Sequence, residues 1–315
     1  MQTRVADASV LTSLSHSSAR MQAATPVFIV GHPRSGTSLL YRTLQQHSAF
    51  RPKELNLQES QVFLHLRTAA FFDSNPPKQL LRFMLKDEDH FQAFLDETRG
   101  LRRLSVVSSP VSWLRRGDMP LAVWRAQGLH RVVRSYFWHA WAARGSRRLL
   151  EKSPRNVPHV DKLRLVSPDA RMLYMCRHPV DVLSSYRKRA LNDASARWAD
   201  VPLSRFTRIY GQAVRGALEQ AEKHPESFLL TRYEDFTHDP VAESTRICRF
   251  VGEAYEDGAL DASVTRRPAN SQAVLYGPIQ TVTKRWRDYV DRDDARRLES
   301  SLREEMARLS YPSYV

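Results

Sequence analysis

Gly31, Arg34, Gly36 and Thr37 fall within one stretch, Phe28-Ile-Val-Gly-His-Pro-Arg-Ser-Gly-Thr-Ser-Leu-Leu40, and their spacing is that of an anion cradle. An apolar strand runs into a turn with two glycines and then into a helix beginning near Thr37. Glycines let the backbone approach an anion, and the first N–H groups of a helix point at it. The stretch nearly matches the triphosphate loop GxxxxGK[ST], but Thr37 occupies the lysine position. The cation has moved inside the loop, to Arg34.

That displacement changes the chemistry. A triphosphate enzyme neutralises the β- and γ-phosphates with the lysine and with a magnesium ion, held by the loop hydroxyl and a strand-end Asp. Here the best later strand, Met172–Cys176, runs into Arg177 instead of a carboxylate. A sulfuryl group carries less charge than a phosphoryl group, so its transfer depends less on a metal. Backbone donors with Arg34, Ser35, Gly36, Thr37 and Ser38 are adequate for a phosphosulfate.

With these residues in view, Val27–Leu40 resembles the 5′-phosphosulfate loop of sulfotransferases that use 3′-phosphoadenosine 5′-phosphosulfate (PAPS). Arg177-His-Pro-Val-Asp-Val-Leu-Ser-Ser185 resembles their 3′-phosphate motif, an arginine at a strand end and a serine eight residues on. Glu151-Lys-Ser-Pro-Arg155 is similar to a segment of the Golgi-type and bacterial branch, which includes tyrosylprotein and heparan sulfate enzymes. The resemblance covers roughly residues 26–60, 148–190 and 226–290.

The resemblance implies a metal-independent O-sulfotransferase with PAPS as donor. Arg34 through Ser38 hold the phosphosulfate, and Arg177 and Ser185 the 3′-phosphate, Arg177 by a charge-assisted fork. Tyr233 matches a nucleotide-contacting tyrosine, though a half-buried tyrosine at a strand end is equally expected there. Thr283, Lys284 and Arg285, in Thr281-Val-Thr-Lys-Arg-Trp-Arg287, resemble a late segment that covers the nucleotide. Transfer to a hydroxyl needs a base and cations for the leaving phosphate. Glu54 in Pro52-Lys-Glu-Leu-Asn-Leu57 is the candidate base, with Glu59 its competitor, while Lys152 joins Arg34 as electrophilic helper. The acceptor is a hydroxyl of a peptidyl tyrosine, such as one in an acidic peptide, or of a carbohydrate or glycolipid.

The elements that must position these groups alternate between strand and helix. Strands at Pro26–Gly31, Arg148–Glu151, Met172–Cys176 and Phe228–Leu230 are each followed by helical patterns: Thr37–His47, one opening at Ser153-Pro154, Pro179–Ala190, and one opening at Asp239-Pro240. Alternation of this kind implies an α/β fold, a P-loop-like central parallel sheet flanked by helices on both faces. Ligands of such sheets gather outside the carboxyl ends of the strands, where the first loop, Lys152 and Arg177 all fall. An amphipathic helix is expected at Thr207–Lys223, a helix at Arg131–Arg144 whose aromatic residues Tyr136, Phe137, Trp138 and Trp141 read as core, and one charged helix at Asp293–Leu309. Residues 1–25 read as a disordered leader and 26–315 as a single domain, with residues 50–125 a mainly helical insertion on the acceptor side.

Composition narrows the classes. At 315 residues, 42% hydrophobic and 26% charged, the chain can bury a sizeable core. Its net charge of +14, from 48 Lys+Arg against 34 Asp+Glu, calls for anionic partners. Cys176 and Cys248 alone build neither a disulfide scaffold nor a zinc site, which suits a reducing, cytoplasmic setting. No apolar run is long enough to span a membrane. Two further readings stay open: a kinase or triphosphatase with a degenerate loop, which needs Mg·ATP, and a basic nucleic-acid-binding module, for which no recognition motif is evident.

Overall fold

In the computed structural model, residues 25–52, 59–63, 88–107, 121–126, 128–260, 279 and 286–315 are described. The chain runs through β1 (Val27–Gly31), α1 (Thr37–Gln46), α2 (Glu88–Val107), α3 (Leu121–Ala126), α4 (Leu129–Arg144) and β2 (Leu150–Lys152). A 3-10 turn, Pro154–His159, leads to α5 (Val160–Val166), β3 (Arg171–Cys176), α6 (Pro179–Asn192) and α7 (Leu203–Lys223). After β4 (Phe228–Arg232) come α8 (Tyr233–His238), α9 (Pro240–Val251), α10 (Arg292–Ser301) and α11 (Arg303–Arg308). The four strands form one parallel sheet in the order β2-β1-β3-β4, flanked by helices, as the alternating pattern implied. Among the described residues no helix is long and apolar enough to cross a membrane.

Burial explains the strand sequences. Every residue of β1, Val-Phe-Ile-Val-Gly, is buried, and β3 is buried from Met172 to Cys176. Continuous apolar runs of this kind belong to strands covered on both faces. Cys176 and Cys248 are both free and buried.

By its internal packing the chain divides into two compact units, residues 1–28 with 44–171 and residues 29–43 with 172–315. In the first, α2 lies against α4, with the Phe94 ring edge-on to Tyr136 and the Glu97 carboxylate on Ser135 Oγ and His139 Nε2. Phe137 packs on Phe28 at 5.2 Å, and Tyr136 and Phe137 are core as expected, whereas Trp138 and Trp141, expected there too, are only half-buried. Gly145, at φ 65°, ends α4 by returning its N–H to the carbonyls of Trp141 and Ala142.

In the second unit β3 and β4 run parallel, with Met172 opposite Phe228 and Cys176 opposite Arg232. The residues that follow, Arg177 and Tyr233, therefore leave the sheet side by side. Helix α6 opens with Pro179 at its first turn, and α9 opens with Asp239 accepting from the Ala242 N–H at 3.0 Å.

Two sequence expectations are corrected here. The charged helix expected over 293–309 breaks at Leu302, which is 1% exposed and lies where a Cβ on Gly211 would come within 3.0 Å of it. Burying Leu302 against α7 outweighs continuing the helix. Ser153 precedes a 3-10 turn, and its hydroxyl makes no capping bond because the Glu151 carboxylate takes it.

Candidate functional site

The loop between β1 and α1 is held open by strain and by packing. Arg34 lies at φ 72°, a left-handed conformation that costs an L-residue about 1 kcal/mol. Gly36 lies at φ 97°, and a Cβ there would fall 2.3 Å from Tyr233 Cδ2. Only glycine fits that position, for both reasons. His32, at the start of the loop, is buried among the rings of Tyr186, Phe206 and Tyr210, with centroids 5.4 to 5.5 Å away. The loop thus keeps a shape that its own backbone would not choose.

The predicted donor residues of the second unit come together. Arg34 Nε donates to Ser185 Oγ at 2.9 Å, across 151 residues of sequence. The Arg177 guanidinium lies 4.4 Å over the Tyr233 ring, and Tyr233 closes on Gly36. The loop arginine and the serine of α6 are therefore bonded, while Arg177 and the loop glycine both lie against the Tyr233 ring. Tyr210 Oη holds the Arg177 carbonyl at 2.5 Å, fixing the backbone where the strand ends.

Electrostatics point to an anion. Burial, then the nearby guanidinium groups of Arg189 and Arg177, lower the Arg34 pKa from its usual value. Like charges gathered at partly buried positions are costly unless an anion compensates them. Arg189 adds a third cation that motif reading missed. It stands one helical turn beyond Ser185 and pairs with Asp193, so the i,i+4 spacing from Ser185 was the available signal.

The donors also fit a carrier with an anionic group at each end. Ser35 Oγ is fully buried and, among the described residues, has no hydrogen-bond partner. Arg177 Nε is likewise buried and unpaired. Both are hydrogen-bond donors at the two places where phosphate oxygens are expected, and the missing Cβ of Gly36 leaves the close approach a backbone donor needs. Thr37 and Ser38 open α1, whose first N–H groups have no partner inside the helix.

In the first unit, Lys152 is 3% exposed and its Nζ meets Glu59 Oε1 at 2.7 Å. Lys152 is thus a buried, ion-paired lysine and not a solvated one. Strand alternation sends Glu151 to the opposite face. There Glu151 Oε1 accepts from Ser60 Oγ at 2.5 Å, Ser60 N–H at 3.2 Å and Ser153 Oγ at 2.5 Å. Ser153 Oγ in turn accepts the Gln61 N–H at 3.0 Å, and Gln61 Nε2 donates to Glu59 Oε2 at 3.0 Å. A buried carboxylate thus fixes the loop that carries the partner of Lys152, and burial raises the Glu151 pKa. Glu54, Thr283, Lys284 and Arg285 lie outside the described residues.

Comparison with known proteins agrees with this architecture. The model of the Sulfotransferase family matches residues 26–257. The sulfotransferase domain of the Synechococcus PCC 7002 olefin synthase superposes with a TM-score of 0.52 at 20% identity, covering 92% of this chain and 96% of that one. Sulfotransferase STF9 from Mycobacterium avium gives 0.50 at 16% identity, over 96% and 82%. An uncharacterized protein of Aquifex aeolicus is 23% identical over 276 residues, 84% of this chain. The chain spans about 30% of that relative's length.

Proposed function

Because the chain belongs to the sulfotransferase family, we propose that it transfers the sulfuryl group of PAPS to a hydroxyl of a peptidyl tyrosine, a carbohydrate or a glycolipid. One hydrogen bond carries this proposal: Arg34 Nε to Ser185 Oγ at 2.9 Å, which joins the phosphosulfate loop to the 3′-phosphate motif.

When bound, the donor supplies a sulfur that forms a bond to the acceptor oxygen as its bond to the 5′-phosphate oxygen breaks. The residues of this chain bind, orient and move the proton. Arg34, Ser35, Gly36, Thr37 and Ser38 hold the phosphosulfate end through backbone donors, hydroxyls and one guanidinium. Arg177, whose guanidinium lies over the Tyr233 ring, forks to the 3′-phosphate together with Ser185. Both Glu59 oxygens are engaged, by Lys152 and by Gln61. Glu54 is our candidate for the group that takes the acceptor proton, with Glu59, the partner of Lys152, its competitor. Lys152 balances the charge that grows on the leaving phosphate.

Calorimetry with the desulfated product, PAP, tests the donor: saturable binding without added metal is expected, and no matching stabilisation by Mg·ATP in a thermal melt. Tight metal-dependent ATP binding with no PAP binding overturns the proposal. Incubation with PAPS and a panel of tyrosine peptides and oligosaccharides, read by mass spectrometry, identifies the acceptor class.

A further inference from the structure

The segment Tyr311–Tyr314 grips the two residues that follow Arg177 and Tyr233. His178 is fully buried with its imidazole stacked on the Tyr314 ring, centroids 3.6 Å apart and planes 7° from parallel. Its Nδ1 accepts the Val180 N–H at 3.3 Å and its Nε2 donates to the Pro312 carbonyl at 2.9 Å, so both partners require the same neutral tautomer. Tyr314 Oη donates to Asp181 Oδ2 at 3.0 Å, in the first turn of α6. Glu234, directly after Tyr233, accepts the His178 N–H at 2.8 Å and the Tyr311 hydroxyl at 3.1 Å. The segment is itself anchored, since Glu299 of α10 accepts the Tyr314 N–H at 2.8 Å and the Ser313 hydroxyl at 2.5 Å.

From this geometry we infer that Tyr311 and Tyr314 are positioning residues for the 3′-phosphate end of the donor site, setting Arg177, Tyr233 and Ser185 through His178, Asp181 and Glu234. The inference rests on the proposed donor. The hydrogen bonds and the stack of the two tyrosines fall on His178, Asp181 and Glu234, the residues next to or one turn from those that would meet the donor. In metal sites, outer partners that orient the ligands change affinity or activity by about 10–100-fold when lost, and the lower figure is carried over to this anion site. The segment lies more than 120 residues beyond Ser185, so no local motif could have indicated it.

Calorimetry with PAP and steady-state rates on full-length Tyr314→Ala and Tyr314→Phe make the test. For Tyr314→Ala the PAP Kd and the KM for PAPS should rise by about tenfold, with kcat at saturating PAPS within about twofold. Tyr314→Phe keeps the stack on His178 and should recover most of the lost affinity. A folded Tyr314→Ala that binds PAP like the wild type overturns the inference. So does a loss of kcat at unchanged KM, which reports a smaller folded fraction. Should Tyr314→Ala fail to fold, Tyr311→Phe, which removes only the hydroxyl to Glu234, carries the comparison: a severalfold rise in the PAP Kd is expected, and wild-type affinity overturns the inference. Absence of PAP binding by the wild type instead overturns the proposed function, and the inference with it.

Discussion

Arg34 separates stability from function within one side chain. Its φ of 72° is unfavourable for any residue but glycine, and its guanidinium is partly buried near those of Arg177 and Arg189. Arg34→Gly relieves both costs, and the melting temperature should hold or rise, since the backbone term alone is about 1 kcal/mol. The same variant loses the hydrogen bond to Ser185, and PAP binding should fall below detection by calorimetry. A variant that still binds PAP like the wild type removes Arg34 from the donor site. Residue types and spacing in the loop were legible, because an anion cradle needs glycines and a cation at short intervals. The left-handed backbone of Arg34 was not, since arginine carries no preference for it.

At the scale of elements, the turn after β2 makes a separate prediction. Burial holds the Glu151 pKa above its usual value, so the folded state keeps a proton there that the unfolded chain has lost. Stability therefore falls as pH rises from the ordinary glutamate range toward the raised native value. Glu151→Gln should flatten that slope in thermal melts taken across pH. Glu151→Ala should lower stability by about 1–3 kcal/mol, because it strands the buried Ser60 and Ser153 donors. A slope unchanged in Glu151→Gln assigns the pH dependence to another group. The existence of β1, β3 and the helices after them was readable from apolar runs and helical spacing. Partners were not: alternation sets Glu151 and Lys152 on opposite faces, but nothing local says that Ser60 meets one and Glu59 the other. For the same reason the Ser153 hydroxyl could not be read as a ligand of Glu151, and Leu302 could not be read as a helix break without the notch at Gly211.

For the molecule as a whole, the proposed donor residues that the structure describes all fall within residues 29–43 and 172–315, and Lys152 does not. Lys152→Met should lower kcat by at least about tenfold, as loss of one charge-stabilising group does, while the KM for PAPS stays within about twofold of wild type. Comparable changes in both would place Lys152 among the residues that hold the donor. The boundaries at residues 28, 44 and 171 fall inside β1, inside α1 and at the start of β3, and none in a linker, so the division into two compact units has no signature along the sequence. The net charge of +14 was visible at once, but only folding reveals that Arg177, just after β3, and Arg189, in α6, come near enough to the loop's Arg34 to lower its pKa. That crowding has a practical consequence for handling the protein. Any small dianion that settles among the guanidinium groups relieves their repulsion and, by mass action, favours the folded chain. Phosphate or sulfate buffers should thus act as mild stabilisers and as competitors at once, so that affinities measured in them come out too weak and melting points too high.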